Sequence, residues 1–391
     1  MYPDLSYIMH AIFGTAPDNA LSIIKTFGLF LILAFLASAR VLRKELRRKE
    51  REGLMFPLTE TVTLGRSATP FEIASNALLG FLLGFKVPYI LSNFTEFQED
   101  AAGVLLSGKG TWLWGVLFGV ILGYAKYWEH HRKKTAKPVT KSVEVWPHQR
   151  IGDITVIAAI SGIVGAKLAV PFESTENFRA FLEDPLGQIL SGSGLAIYGG
   201  LILAFIVVLW YIRKKQIPPL HIMDAVAPAL MVGYAVGRIG CQLSGDGDWG
   251  VVNTLPEPSW WLLPGWMWAF DYPHNVLNEG IEIEGCTWLY CHKLAQPVFP
   301  TPFYETVAAF ALAGVLWLLR KRIRVPGVLF FIYVVLTGIE RFFIEKIRVN
   351  PDITIAGIQA TQAEFVSVLL VIIGVVGIIW CLRRHTKEKK A

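Results

Sequence analysis

Residues 26–52 read "TFGLFLILAFLASARVLRKELRRKERE". Fourteen uncharged, mostly apolar residues run into a segment with seven cations and three acids. The apolar part extends a window at about 19–39, long enough for a hydrocarbon core of roughly 30 Å, and the basic part reads as its stop. Similar windows recur at about 73–92, 111–127, 152–171, 194–212, 223–243, 302–319, 327–346 and 362–382. The pattern predicts an all-α, polytopic membrane protein with about nine spans.

Composition agrees with that reading. Of 391 residues, 53% are hydrophobic and only 17% are charged, and the mean hydropathy is +0.46. A soluble domain of this size carries more charge. The net charge of +6 is not a nucleic-acid signature, because the cations fall in particular loops. "RVLRKELRRKERE" follows the first window, "HHRKKTAKPVTK" the third, "IRKKQ" the fifth, "RKRIR" the seventh and "RRHTKEKK" the ninth. The loops between them, such as "NFTEFQEDAAG", are acidic or mixed. Strict alternation places the N-terminus outside and the C-terminus in the cytoplasm. The long first window and its basic stop predict no cleavable signal peptide.

Residues 72–134 and 152–215 align as a repeat. "GFLLGFK" meets "SGIVGAK", pairing Gly84 with Gly165 and Lys86 with Lys167, and "SGKGTWLWG" meets "SGSGLAIYG", pairing Trp114 with Tyr198. Three regions are expected: residues 1–50 with the first span and its basic exit, an inserted or duplicated two-helix hairpin at 72–134, and a core at 152–382. The core includes an outer segment, 244–301, whose "PEPSWWLLPGWMWAFDYPHN" suits a headgroup-level belt. Cys286 and Cys291 lie in it, where a disulfide is permitted; metal ligation with His292 is the other reading.

The predicted topology assigns depths to the polar residues, at about 1.5 Å per helical residue. Tyr198 comes about 6 Å below the outer end of its span and Arg238 about 8 Å from the outer end of another. Glu305 is in the first turn of a third. Arg341, Glu345 and Arg348 share one face at i, i+4 and i+7 of a fourth. A bilayer charge costs about 2.5–3.5 kcal/mol even on the lenient insertion scale, so inward, paired placement is expected. A purely structural Arg341–Glu345 pair, with Arg348 reaching the interface, would satisfy that cost. Two or three guanidiniums around one cavity instead require an anion, and their fork fits phosphate oxygens. After Arg238, "GDGDWG" lets the backbone bend at Gly245, Gly247 and Gly250, while Asp246 and Asp248 can take protons or hold an arginine.

Read together, "AIYGGLILAF…IRKKQIPPLHIMDAVAPALMVGYAVGRIGCQLSGDGDWG", "FPTPFYE" and "GIERFFIEKIRVNPD" resemble the prolipoprotein diacylglyceryl transferases. The likeness covers about 152–382, and residues 23–39 resemble that family's first helix. It implies a multi-pass transferase of the bacterial inner membrane, acting in lipoprotein biosynthesis. Such an enzyme moves an sn-1,2-diacylglyceryl group from phosphatidylglycerol to the lipobox cysteine of a preprolipoprotein signal peptide, releasing glycerol-1-phosphate. No cofactor, metal or nucleic acid is implied; the partners are the two substrates and membrane lipid.

By the same resemblance, Arg238 and Arg341 bind and polarise the phosphate and Glu345 orients Arg341. Arg348, Asp246, Glu305, Gly250, Gly199 and Gly200 complete the site. The sequence departs from the family at Tyr198, where a histidine proposed as base is usual, and at Cys241, usually asparagine. Phe27 and Thr337 replace tyrosines, and the glycine-rich element has one extra residue. Tyr198, Asp246, Glu305 and His274 are therefore rival proton acceptors. A lipid transporter or scaffold, or a paralogue without catalysis, are the competing functional classes.

Overall fold

In a computed structural model of the chain, the structure describes residues 1–64, 69–99, 104, 107–133, 139–172, 175–185, 196–350, 352–355 and 358–388. The elements are α1 Leu5–Phe13, α2 Thr26–Arg51, β1 Leu58–Leu64, α3 Pro70–Ser92, α4 Phe94–Glu99, α5 Trp112–Lys133, β2 Val139–Val145, α6 Ile151–Ala169 and α7 Thr175–Glu183. There follow α8 Ile197–Lys214, α9 Pro219–Ser244, β3 Ile281–Glu282, β4 His292–Lys293, α10 Thr301–Leu319, α11 Val328–Glu345, β5 Asp352–Ile355, β6 Ile358–Thr361 and α12 Gln362–Glu388. Among the described residues, the all-α expectation is amended by three two-stranded antiparallel ribbons, β1–β2, β3–β4 and β5–β6.

Among the described residues, six helical segments are long and apolar enough to cross a membrane: Thr26–Arg51, Pro70–Ser92, Pro147–Phe172, Pro219–Ser244, Thr301–Leu319 and Gln362–Lys387. The other three expected windows coincide with α5, α8 and α11. The 18 residues of α11 include Glu340, Arg341 and Glu345, a charge load that a lipid-facing span would not carry.

The chain divides into two compact units, Met1–Met55 with Ile217–Ala391, and Phe56–Gln216. The expected core at 152–382 is thus shared between them, because residues up to Gln216 group with the hairpin.

In the first unit α9 lies between α2 and α10, and α11 packs on α12. Small residues permit close approach. Ser38 Oγ donates to the Ala229 carbonyl at 2.9 Å, and a Cβ on Gly233 would strike that hydroxyl. Met231, Ala235, Ala309, Ala313, Leu316 and Leu329 form the apolar centre. The basic run of 40–52 is no loop: α2 continues through it and buries Glu45 and Lys49. Asp224 accepts from the Gly327 and Phe330 amides at 2.8 and 3.0 Å, satisfying free donors at the start of α11.

The outer segment between α9 and α10 has its own core, Trp249, Tyr272, Leu294 and Val298. Cys286 and Cys291 are disulfide-bonded, which settles the alternatives left open by sequence. Tyr7 of α1 packs edge-on against Trp288 and Tyr290, tying the N-terminal helix to that segment.

In the second unit, ribbon β1–β2 pairs Leu58 with Val145 through to Leu64 with Val139, so the chain enters and leaves the α3–α5 hairpin side by side. A Cβ on Gly84 would collide with the Trp114 carbonyl, and one on Gly165 with the Gly199 carbonyl and the Leu203 side chain. The two hairpins, α3–α5 and α6–α8, therefore close on glycines at aligned positions. Lys86, at the far end of α3, donates to the Val104, Ser107 and Lys109 carbonyls at 2.6, 2.5 and 3.0 Å. Those acceptors offset the cost of an ammonium on an apolar helix.

Candidate functional site

The second-last turn of α9 carries Arg238. Two turns later Gly245 ends the helix in the left-handed conformation (φ 64°), with its amide on the Cys241 carbonyl at 3.0 Å. Gly247, at φ 93°, continues the reversal, which a side chain would strain. The turn brings Asp248 back over α9, where its carboxylate meets Arg238. Thr301, at the start of α10, fixes this loop by donating to the Asp248 carbonyl at 2.6 Å. Gly250 lies beside Arg348 in an antiparallel bridge, with the Gly250 amide on Phe299 O at 2.9 Å and the Val251 amide on Ile347 O at 2.8 Å. Any Cβ at 250 would run into the Ile347 carbonyl, Phe299 and Thr301. Backbone closeness, rather than left-handed φ, is what requires glycine there.

Three arginines, from α9, from α11 and from the turn after α11, converge on Glu305, which is wholly buried in the first turns of α10. Arg238 Nε lies 2.8 Å from Glu305 Oε2 in an ion pair without hydrogen-bond alignment. Arg341 Nη1 and Arg348 Nη1 donate to Glu305 Oε1 at 3.3 and 3.4 Å. Arg341 Nη2 also pairs with Glu345 at 2.8 Å, and Asn350 donates to the other Glu345 oxygen at 2.6 Å. Asp248 spans Arg238 and Arg348, one oxygen to each. The Arg238 guanidinium further stands 5.2 Å from the Tyr234 ring centre. Three guanidiniums and three carboxylates thus form one network.

The sequence leaves the arginines two ways to balance their charge, an internal ion pair or an external anion; here Glu305, Glu345 and Asp248 pair them. Their exposures separate the three acids: the Glu305 and Glu345 side chains are 0% exposed, whereas Asp248 is 33% exposed. Each guanidinium has five N–H donors, and these pairs leave some unused.

Asp246 is half-buried beside Cys241, and its Oδ1 has no hydrogen-bond partner. Burial, then the neighbouring Asp248 charge, push its pKa up from the ordinary carboxylate value. Burial pushes Asp248 up as well, but Arg238 and Arg348 together outweigh it and hold that carboxyl below its ordinary value. Cys241, Asp246 and Asp248 bring one donor atom each within 4.8 Å of one another. A cation bound there would face the two guanidiniums on Asp248, so the donor set does not suit a metal.

The structure therefore brings together Arg238, Asp246, Gly250, Glu305, Arg341, Glu345 and Arg348. Tyr198, Gly199 and Gly200 begin α8 in the other unit. A Cβ on Gly200 would meet the Gly162 carbonyl at 2.8 Å, and one on Gly199 would meet Ala169, so both glycines seat α8 against α6. His274 lies in the outer segment, its Nδ1 2.6 Å from Tyr290 O and its ring against Trp288. Sequence reasoning allowed Asp248 to hold an arginine without saying which, and it missed the Asn350 support and Glu340. The last is buried immediately before Arg341, with neither carboxylate oxygen hydrogen-bonded. Its signal was the paired charge of "ER" inside an apolar helix.

A family model described as prolipoprotein diacylglyceryl transferase matches residues 115–380. Curated relatives named phosphatidylglycerol–prolipoprotein diacylglyceryl transferase include one from Symbiobacterium thermophilum, 30% identical over 61% of this chain and 79% of the relative. One from Dehalococcoides mccartyi is 29% identical over 60% and 77%, respectively. One from Pseudomonas aeruginosa is 24% identical over 75% of this chain and 98% of the relative.

Proposed function

The chain belongs to the prolipoprotein diacylglyceryl transferase family, and we propose on that premise that it transfers the diacylglyceryl group of phosphatidylglycerol to a lipobox cysteine. The observation that carries this reading is the triple-arginine network around Glu305. In the reaction the cysteine sulfur forms a C–S bond to the glycerol carbon that bears the phosphate. The C–O bond to phosphate breaks, glycerol-1-phosphate leaves with the bonding pair, and the thiol proton passes to a base. Charge grows on the leaving phosphate, and preorganised guanidiniums stabilise it at that moment.

In this reading Arg238 and Arg341 hold the phosphate, with Arg348 behind them, and the phosphate displaces Asp248, the only solvent-reached acid of the three. Glu305 and Glu345 stay in place and fix the angles of the arginines. Asp246 takes the thiol proton, because burial and Asp248 raise its basicity; Tyr198, which stands where the family has a histidine, is the rival acceptor. Gly250 holds the "GDGDWG" loop close enough to reach the network. We place the site at the outer leaflet of a bacterial inner membrane, with nine spans, the N-terminus outside and the C-terminus cytoplasmic, on the alternation of basic loops.

A second reading, a lipid-binding paralogue or transporter without catalysis, is favoured by Tyr198 and Cys241 standing where the family has histidine and asparagine. Complementation of a bacterium depleted of its own transferase separates the two. Rescue, lost in Arg238→Ala, supports transfer; a properly inserted chain that never rescues supports the second reading.

A further inference from the structure

A second cationic site lies in the first unit, where the C-terminal end of α2 meets the end of α10 remote from Glu305. Along α10, Glu305 and Arg320 are separated by about 22 Å at 1.5 Å per residue, roughly the thickness of an apolar span. There Lys44, Arg48, Arg51, Glu52, Arg320 and Lys321 line a cavity of about 330 Å³. Five cations face it, against Glu52 on its wall and Glu45 beneath.

The cavity is built rather than a chance meeting of surface lysines. Glu45 is wholly buried, on the continuation of α2 through its basic run. It accepts from Arg48 Nε at 3.0 Å and from Arg320 Nη1 at 2.6 Å, so one acid fixes guanidiniums from two helices. Arg320 Nε also donates to the Trp317 carbonyl at 2.9 Å, and its guanidinium lies 3.3 Å over the Trp317 ring. Lys44 Nζ is 5.5 Å from the same ring. Lys44, Arg51 and Lys321 are exposed and have no ion-pair partner among the described residues. Two anchored guanidiniums with three loose cations around them are suited to a multiply charged oxyanion. Trp317 puts the cavity at the depth where indole rings settle in headgroups.

We propose that this cavity binds a phosphate group, that of an anionic membrane phospholipid in the leaflet opposite the Glu305 network. Soluble phosphate offers the same oxyanion and is the alternative source. The site needs no part of the transfer reaction, and its failure would leave the proposed activity untouched.

The test compares the full-length chain in detergent with its Lys44→Gln/Arg51→Gln/Lys321→Gln variant. Native mass spectrometry measures binding of short-chain phosphatidylglycerol, short-chain phosphatidylcholine and inorganic phosphate. Binding of phosphatidylglycerol at the Glu305 network is common to both proteins, so only their difference reports on this cavity. The wild type should carry one additional phosphatidylglycerol, bound on the order of tenfold more tightly than in the variant, with no difference for phosphatidylcholine. A difference seen with inorganic phosphate alone would keep the oxyanion site and reject the lipid as its source. Equal binding of both anions by the two proteins would overturn the proposal. The replaced side chains are exposed, and unchanged unliganded melting confirms that the variant is folded. The single variant Lys321→Gln, expected to lose part of the difference, covers a triple variant that melts early.

Discussion

Arg238 touches Asp248, Glu305 and the Tyr234 ring, and each contact offsets a different part of the cost of a buried charge. Arg238→Ala and Arg341→Ala should each lower transfer to a lipobox peptide by about 10²-fold or more, the loss typical of one preorganised donor to a developing oxyanion. Membrane insertion should be unchanged. Glu305→Gln should cost about 3–5 kcal/mol of stability, because three guanidiniums would lose their common buried partner. Asp248→Asn separates structure from binding. It weakens the unliganded protein but removes the phosphate's competitor, so phosphatidylglycerol should raise its melting temperature by more than it raises that of the wild type. Asp246→Asn has a pH signature. The Asp246 pKa is raised on folding, so its charged form is disfavoured above the ordinary value of 3.8. The variant should therefore gain stability relative to wild type at neutral pH, lose that gain at acid pH, and transfer more slowly if Asp246 is the base. Arg238, Glu305, Arg341 and Glu345 were legible because charge inside an apolar helix is costly and helical spacing says which charges meet. Asp248 and Asn350 lie beyond helix ends, where no periodicity indicates direction.

At the scale of elements, the glycines of the two hairpins make matching predictions. Gly84→Leu and Gly199→Leu should each force a helix pair apart and lower the thermal stability of the second unit, whereas Gly152→Leu, whose Cβ meets nothing within 4 Å, should not. With Asp246 as the proton acceptor, neither Tyr198→Phe nor Trp114→Phe should slow transfer; a rate loss confined to Tyr198→Phe would move the acceptor to Tyr198. The helices were readable as uninterrupted apolar windows. Ribbon β1–β2 was not read, although Thr59, Thr61 and Thr63 alternate with Glu60 and Val62 in a strand-like period. Seven residues of weak alternation next to long hydrophobic windows leave little signal. The helical continuation of α2 past Ala39 was likewise hidden, since a run rich in Arg, Lys and Glu reads as solvated loop while having good helix propensity.

At the scale of the whole molecule, the chain folds as two units, and its transfer chemistry is assigned to residues of the first. The sequence outlined a larger core because the family likeness spans 152–382, but within 56–216 each hairpin closes on its own local glycines, which a likeness does not weigh. The most direct measurement is a reconstituted reaction: the purified full-length chain, vesicles containing phosphatidylglycerol, and a synthetic lipobox peptide, with peptide mass and released glycerol-1-phosphate followed together. The account predicts a thioether-linked diacylglyceryl adduct on the cysteine, equimolar glycerol-1-phosphate, and neither product with Arg341→Ala. A folded wild-type protein that binds phosphatidylglycerol yet leaves the peptide unmodified would contradict it.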